Sequence, residues 1–110
     1  MQKCRRSLRV WAVTEVLWSQ SALDDLQDIA AYVAGQSSVA DAQSLYSRLK
    51  ACTQHLSRFP RLYEEAPEYG EGVRRISLLG HHVLYEIEEV SQAAVILCVM
   101  GQRQQARKIR

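Results

Sequence analysis

Three basic side chains in the C-terminal half of the sequence have the chemistry to act together on a phosphate group. Arg75 and His82 lie in two segments with the alternation of β-strands, and Arg103 lies just past a third, apolar segment. Arginine binds phosphate as a planar fork, and histidine moves protons near neutral pH. The alternative is that all three are ordinary polar residues on a solvated sheet face, and the residue types alone leave both interpretations open.

The element that must position Arg75 and His82 is a β-hairpin predicted over residues 73–89. Its apolar side chains recur at every second position of each strand, and they are Ile76, Leu78, Val83, Tyr85 and Ile87. The turn at Leu79-Gly80-His81 uses the backbone freedom of glycine. If other elements cover the apolar face, Arg75 and His82 lie on the uncovered one, and Tyr85 is a core residue.

Two amphipathic helices precede the hairpin and would cover its apolar face. The first is predicted over residues 22–34, with Ser19 or Ser21 as its cap, and the second over residues 40–58. Phe59-Pro60 ends the second helix, because proline disfavours the helical conformation of the residue before it. The short connection between the helices predicts an antiparallel helical hairpin.

The remaining segments complete an α+β domain with the element order β-α-α-β-β-β. Residues 13–19 are predicted to be a first strand, and the nearly all-apolar residues 94–100 a central strand covered on both sides. The last three strands can form an antiparallel meander, with the first strand pairing at one edge. Residues 61–72 carry four glutamates and lack a period, so they are predicted to be a loop with solvated charge.

Charge is distributed unevenly along the sequence. The formal net charge is only +2, which does not indicate a nucleic-acid binder, but basic residues crowd both ends while most acidic residues lie between them. The 110 residues therefore divide into a basic N-terminal extension over residues 1–12, predicted to be flexible, a single domain over residues 13–103, and a basic tail over residues 104–110.

Cysteine spacing and hydropathy predict a cytoplasmic protein without a cofactor or a metal. The three cysteines are far apart, and neither a CxxC pair nor a His/Cys cluster with metal-ligand spacing occurs, so free thiols in a reducing cytosol are expected. The apolar stretch after the basic N-terminus is too short and too interrupted for a signal peptide or a membrane span.

In their order and spacing, these segments resemble the RelE/ParE superfamily of bacterial type II toxins over residues 13–103. The motifs that carry the resemblance are the A-x-x-D-L-x-x-I-x-x-Y run from Ala22 to Tyr32, Phe59-Pro60, Arg74 at the start of the second strand, and V-L-Y before the third strand ends. The two helices look closest to the ParE branch, in particular to ParE-like toxins of three-gene modules with a PaaA-type antitoxin. The resemblance implies a helical hairpin packed on a small twisted antiparallel sheet.

The resemblance also implies a partner protein. It implies a growth-inhibiting toxin that is held inactive by a cognate antitoxin in a toxin–antitoxin hetero-oligomer, and an antitoxin that is disordered when free. We expect that antitoxin to cover the groove of the helical hairpin, with Leu45, Tyr46 and Leu49 as contacts, and a sheet edge to which it can add a strand.

Two mechanisms divide the superfamily. RelE-like members cleave mRNA in the ribosome, and Arg75, His82 and Arg103 fall where such members place basic catalytic residues. A further lysine and a C-terminal tyrosine of that set are replaced here by Val73 and Ile109, which removes a phosphate-stabilising group and a proton-transfer group. ParE-like members inhibit DNA gyrase by binding it.

The function predicted from the resemblance is that of a ParE-like toxin, not an enzyme, that binds a macromolecular target, with DNA gyrase as the default. Its target-binding candidates are Arg74, Arg103, Arg107 and Lys108. The alternative is a RelE-type ribosome-dependent mRNA endoribonuclease. A third hypothesis is a decayed toxin that only binds its antitoxin and helps to repress its own operon.

Overall fold

The order of helices and strands agrees with the prediction. A computed structural model describes residues 14–101 of the chain. The elements are β1 (Glu15–Trp18), α1 (Gln20–Gln36), α2 (Val39–Ala51), β2 (Val73–Leu78), β3 (His81–Glu88) and β4 (Ala93–Gly101). The fold class is α+β, as predicted, and the extension predicted over residues 1–12 lies outside the described residues.

Serine side chains set the start of both helices. Ser19 Oγ accepts a hydrogen bond from the Ala22 N–H at 3.1 Å, and Ser38 Oγ accepts one from the Asp41 N–H at 3.0 Å. Each cap satisfies a backbone donor that the first turn of a helix leaves free. Because so short a connection separates α1 from α2, the two helices form the predicted hairpin.

The second helix is shorter than predicted. α2 ends at Ala51, and a 3₁₀ turn over Gln54–Ser57 carries the chain towards Pro60. The Thr53 hydroxyl donates to the Lys50 carbonyl at 2.9 Å, which satisfies an acceptor at the end of the helix. The prediction of one helix up to residue 58 is therefore wrong, because a threonine on the apolar stripe supplies a local partner that lets the helix end.

The four strands form one mixed sheet in the order β1-β4-β3-β2. β2, β3 and β4 make the predicted antiparallel meander, and β1 joins at one edge by pairing with β4. That last pairing is parallel, so the sheet is mixed rather than wholly antiparallel. β4 is an inner strand, in agreement with its nearly all-apolar sequence.

A β-bulge in β4 decides which side chains face the helices. Leu97 is left over where the register shifts opposite Leu84 and Tyr85. α1 secures this region, because Asp25 Oδ2 accepts a hydrogen bond from the Val99 N–H at 3.1 Å. The extra residue changes the alternation along β4, so that both faces of the strand carry buried side chains.

The helices cover one face of the sheet, which we call the inner face. The buried side chains there are Ala22, Leu26, Leu49, Leu56, Ile76, Val83, Tyr85, Ala94, Ile96 and Val99. Tyr85 is fully buried among them, which confirms its predicted place in the core. The alternation of β2 and β3 therefore predicts the inner face correctly.

The opposite face, which we call the outer face, is not the open surface that the alternation predicted. A second buried cluster lies there, formed by Ala66, Tyr69, Val73, Leu84, Cys98 and Met100. Ala66 and Tyr69 come from residues 61–72, the segment predicted to be a solvated loop. We call residues 61–72 the acidic strap, because they cross the outer face and cover part of it.

Candidate functional site

The acidic strap is tied to the edge strand β2 by backbone hydrogen bonds. The Ala66 N–H donates to the Val73 carbonyl at 2.7 Å, and the Arg75 N–H donates to the Glu64 carbonyl at 3.2 Å. These bonds form an isolated antiparallel bridge between Glu65 and Arg74, and they cover edge groups of β2 that would otherwise be free to pair. The strap therefore lies against the edge of the sheet, beside Arg75.

The guanidinium of Arg75 is already paired within the chain. Its Nη1 lies 3.1 Å from Glu68 Oε2, and its Nη2 lies 3.4 Å from Glu64 Oε1. The Arg75 side chain is only 25% exposed, whereas Glu64 is 78% exposed. Two carboxylates thus neutralise the cation that was predicted to meet a phosphate. The prediction that the strap carries only solvated charge is wrong, because two of its glutamates find an arginine on the adjacent strand.

His82 lies on the outer face with Arg75, as predicted, and contacts Ser77. The Ser77 hydroxyl and His82 Nδ1 are 3.0 Å apart across the β2–β3 ladder. Burial lowers the pKa of His82 below its ordinary value of 6.5, and the positive charge of Arg75 lowers the pKa further, against an opposing effect of Glu68. Both effects disfavour the positively charged imidazole that would attract a phosphate.

Arg74, a predicted target contact, is also bound to the strap. Its Nη1 donates to the Tyr63 carbonyl at 2.6 Å, and its Nη2 lies 3.7 Å from Glu65 Oε2. Its side chain is 18% exposed, so most of the guanidinium surface is already covered. Arg74 holds the start of the strap in place and offers little surface to a further partner.

Burial makes two other reactive side chains inert. The Tyr85 hydroxyl donates to the Pro60 carbonyl at 2.7 Å, and burial raises the pKa of Tyr85 to about 12. Burial likewise raises the pKa of the Cys52 thiol to about 11, and this thiol donates to the Leu49 carbonyl at 3.0 Å. Both groups remain protonated at neutral pH, so neither is an activated nucleophile.

Residues 14–101 contain neither a metal site nor a membrane-spanning helix. No group of three or more histidine, cysteine, aspartate or glutamate side chains in this range could hold a metal ion. Nor does any helix between these two residues have the length and apolar character that crossing a membrane requires.

The remaining candidates for target binding, Arg103, Arg107 and Lys108, lie outside the described residues. β4 ends at Gly101, which pairs with His81 at the start of β3. The last described residue of β4 therefore lies at the end of the sheet that carries the β2–β3 turn.

The helical hairpin carries an open groove of about 470 Å³ between α1 and α2. Its lining residues are Ala30, Ala31, Ala34, Val39, Ala42, Gln43, Tyr46 and Ser47. Of the predicted antitoxin contacts, Tyr46 lines the groove and Leu45 packs, partly buried, against the core. Leu49 is fully buried and has no surface to offer a partner, which corrects that prediction. The predicted contacts on α2 therefore lie on two sides of the helix, with Leu49 in the core and Tyr46 in the groove.

The sequence analysis did not predict that Glu64 and Glu68 of the acidic strap form ion pairs with Arg75. A signal for them was present, because a segment with four glutamates immediately precedes a strand with two adjacent arginines. Opposite charges on neighbouring segments favour ion pairs, but charge alone does not say which carboxylate meets which guanidinium. The apolar Ala66 and Tyr69 within the same segment were a second signal that it packs against the sheet.

Comparison with known proteins points to toxin–antitoxin systems. Residues 16–106 match the model of a protein family that is described as "ParE toxin of type II toxin-antitoxin system, parDE". A search of curated protein sequences finds no match.

Solved structures with a similar fold come from toxin–antitoxin systems. A chromosomal ParDE system from P. aeruginosa aligns with a TM-score of 0.72 at 15% identity, covering 82% of this chain and 97% of that one. The toxin–antitoxin complex RelBE2 from Mycobacterium tuberculosis aligns with a TM-score of 0.58 at 20% identity, covering 82% and 99%. A mutant of the E. coli toxin RelE in the free state aligns with a TM-score of 0.59 at 12% identity, covering 83% and 85%. At these identities the similarity shows a shared fold.

Proposed function

Because the chain belongs to the ParE toxin family of type II toxin–antitoxin systems, we propose that it inhibits bacterial growth by binding a macromolecular target, with DNA gyrase as the first candidate. In this proposal it acts in the cytoplasm, and a cognate antitoxin neutralises it by covering its surface. The observation that carries the non-enzymatic mechanism is the pairing of Arg75 with Glu64 and Glu68.

That pairing matters because a nuclease must stabilise the negative charge that develops on the phosphate. In this chain Arg75 shares its charge with two carboxylates, and burial lowers the pKa of His82, which disfavours its positively charged form. A phosphate that approached the outer face would also be repelled by Glu64 and Glu68. These contacts support binding of a target, rather than cleavage of RNA, as the mode of action.

One observation favours the alternative, a RelE-type ribosome-dependent endoribonuclease. Arg75 and His82 share the outer face, and β4, which precedes Arg103 in the sequence, ends at Gly101 beside His81. In that mechanism the strap has to release Arg75 when RNA binds. Since Glu64 and Glu68 are well exposed, their ion pairs cost little free energy to break.

Pulse labelling after tightly controlled induction in a bacterium separates the two mechanisms. If the chain binds gyrase, thymidine incorporation falls before methionine incorporation, and the purified chain inhibits supercoiling by gyrase in vitro. If the chain cleaves mRNA, methionine incorporation falls first. If growth and both incorporations continue, the chain is a decayed toxin that retains only antitoxin binding.

Substitutions at the candidate residues test the mechanism directly. His82→Ala removes a proton-transferring side chain, so it abolishes toxicity if RNA is cleaved and leaves toxicity intact if a target is bound. Arg107→Ala with Lys108→Ala removes positive charge from the tail, so it weakens toxicity under the proposal. His55→Ala, on the 3₁₀ turn, is the matched control for His82. A folded His82→Ala variant without toxicity would overturn the binding mechanism.

The groove between α1 and α2 is the surface that we assign to the antitoxin. Its alanine side chains let another backbone approach closely, and an amphipathic helix can fill such a groove with its apolar face. Val39 is 63% exposed and Tyr32 is 68% exposed on the same helical hairpin, which leaves apolar surface for a partner to bury.

Ala31→Glu tests the groove by placing a charge in it. Co-expressed with its antitoxin, the wild-type chain should co-purify with that protein, and Ala31→Glu should bind it about tenfold more weakly or worse, because the charge is buried without a partner. Ala40→Glu, at an exposed alanine of α2 outside the groove, is the matched control and should bind like wild type. Equal affinity of all three chains would exclude the groove as the antitoxin site.

A further inference from the structure

Two turns meet at the end of the sheet opposite the β2–β3 turn. The first, residues 59–62, is closed by the Leu62 N–H, which donates to the Phe59 carbonyl at 3.1 Å. The second is the turn between β3 and β4. An ion pair between Arg61 Nη2 and Glu89 Oε2, 2.5 Å apart, joins the two turns. These turns form one continuous surface at this end of the molecule.

Three large apolar side chains are exposed on this surface. Phe59 and Leu62 are each 59% exposed, and Val90 on the β3–β4 turn is 95% exposed. Single exposed apolar residues are common on proteins, but a group of them at one place marks an interaction site. We define the Phe59 patch as Arg58, Phe59, Arg61, Leu62, Glu89 and Val90.

The first turn is held in place before any partner arrives. Pro60 restricts its backbone, and the hydroxyl of the fully buried Tyr85 donates to the Pro60 carbonyl at 2.7 Å. The Phe59 N–H donates to the His55 carbonyl at 2.9 Å. Because the turn is already ordered, a partner that binds Phe59 and Leu62 loses little affinity to conformational entropy.

The charges around the patch complement a second copy of the same surface. Arg61 belongs to the first turn and Arg58 directly precedes it, whereas Glu88 and Glu89 border the second turn. A two-fold axis between the turns sets Arg61 of one copy against Glu89 of the other, so that pairs between the copies replace the exposed Arg61–Glu89 pair within each copy. The same axis brings the apolar side chains together at the centre. A partner with only one sign of charge would complement only one of the two turns.

We propose that the Phe59 patch is the interface of a symmetric homodimer of this chain. The patch is small, so the dimer is expected to be weak, with a dissociation constant of roughly micromolar size. The groove for the antitoxin is lined by the end of α1 and the start of α2, whereas the patch follows the end of α2. The dimer therefore leaves both grooves open, and each copy can still bind an antitoxin.

Sedimentation velocity of the full chain at increasing concentration tests the dimer. The wild-type chain should shift from monomer towards dimer, and Phe59→Ser with Leu62→Ser should raise the dissociation constant about tenfold or more. Tyr32→Ser with Val39→Ser removes similarly exposed apolar side chains from the helical hairpin and is the matched control, with unchanged association. A wild-type chain that stays monomeric, or a dimer that the changes at Phe59 and Leu62 leave intact, would overturn the proposal.

Charge reversal tests the two-fold arrangement itself. Arg61→Glu alone and Glu89→Arg alone each place like charges across the axis, so each variant should associate more weakly than the wild-type chain. A mixture of the two restores attraction at both contacts and should associate like the wild-type chain. Both changes also break the exposed Arg61–Glu89 pair within one chain, which costs little stability. A mixture of two folded variants that remains monomeric would contradict the symmetric interface.

Residues 1–13 are the competing occupant of the patch. They join the described structure at Thr14, whose N–H donates to the Ser57 carbonyl at 2.7 Å, two residues before Phe59. Val10→Ser with Trp11→Ser in the full chain distinguishes the two occupants. Unchanged association supports the second copy, whereas stronger association than wild type would mean that residues 1–13 occupy the patch in place of a second chain.

Discussion

The two faces of the sheet are covered in different ways. On the inner face, α1 and α2 bury large apolar side chains completely, among them Leu26 and Leu49. On the outer face, the acidic strap contributes Ala66 and Tyr69 to a smaller cluster, and its other contacts with β2 are hydrogen bonds and ion pairs. The inner cover thus depends on apolar burial, whereas the outer cover depends largely on hydrogen bonds and ion pairs.

This difference predicts that the two covers open at different free energies. Ion pairs with exposed partners contribute little stability and are screened by salt, and Glu64 is 78% exposed. The strap should therefore open locally, at a lower free energy than the helical layer, which opens only with the whole domain. Any activity that needs a free Arg75 depends on this local opening.

The largest effect is expected on the inner face. Leu49→Ala should lower the free energy of unfolding by about 3 kcal/mol, because it leaves a cavity beneath α2 at a fully buried position. Urea denaturation of the full chain measures this loss. Val39→Ala, 63% exposed on the same helix, is the matched control and should cost about 0.5 kcal/mol or less. A loss at Leu49 as small as that at Val39 would show that the helical layer is not the main support of the sheet.

A smaller loss of stability is expected at Tyr85, where the inner core meets the start of the strap. Tyr85→Phe removes the hydrogen bond to the Pro60 carbonyl and should cost about 1 kcal/mol. Hydrogen exchange should then accelerate more at the Leu62 N–H than at amides of α1. Tyr32→Phe, at a side chain that is 68% exposed, is the matched control and should change neither quantity. Uniform acceleration across the domain would mean that Tyr85 supports the whole core rather than the strap.

The inner face could be predicted from the sequence because it depends on local periodicity. The alternation of Ile76, Val83 and Tyr85 and the apolar stripe of each helix are visible within short windows, and all three strand residues are buried as predicted. The outer cover could not be predicted in the same way, because residues 61–72 have no period and make contacts that depend on how the chain folds back over β2.

The candidate site could be predicted only in part, because alternation shows which residues of a strand share a face but not which other segments contact them. Alternation placed Arg75 and His82 on one face, and the structure agrees. Alternation contains no information about Glu64 and Glu68, which belong to the acidic strap and form ion pairs with Arg75. The bulge at Leu97 was equally invisible, because neither glycine nor proline marks it.

A third prediction measures the ion pairs of the strap directly. Arg75→Met should lower stability by about 0.5 kcal/mol at low ionic strength, and the difference from wild type should vanish in about 1 M salt, because both carboxylate partners are exposed. Hydrogen exchange at the Ala66 N–H should accelerate in the variant. Arg48→Met, at an exposed position of α2, is the matched control and should change neither quantity. A loss of stability that persists in high salt would mean that Arg75 acts through packing and not through charge.

The smallest effect concerns pH and again distinguishes the outer face from the inner one. The pKa of His82 in the folded chain is lowered by burial and by Arg75, with Glu68 opposing and His81 adding to the decrease. Between this lowered value and the ordinary value of 6.5, the unfolded chain binds a proton that the folded chain does not. Stability should therefore fall as the pH drops through this window and recover as the pH rises above about 6.5.

His82→Gln should flatten that part of the stability–pH curve relative to wild type, as measured by urea denaturation at several pH values between about 5 and 7. His55→Gln removes a histidine from the 3₁₀ turn, away from the strap, and should leave the slope unchanged. If His82→Gln and wild type have the same slope, then the imidazole is as free to take up a proton in the folded chain as in the unfolded one. The outer face would then bear a positive charge in mild acid, and the argument against a phosphate-binding role for Arg75 and His82 would lose one of its two supports.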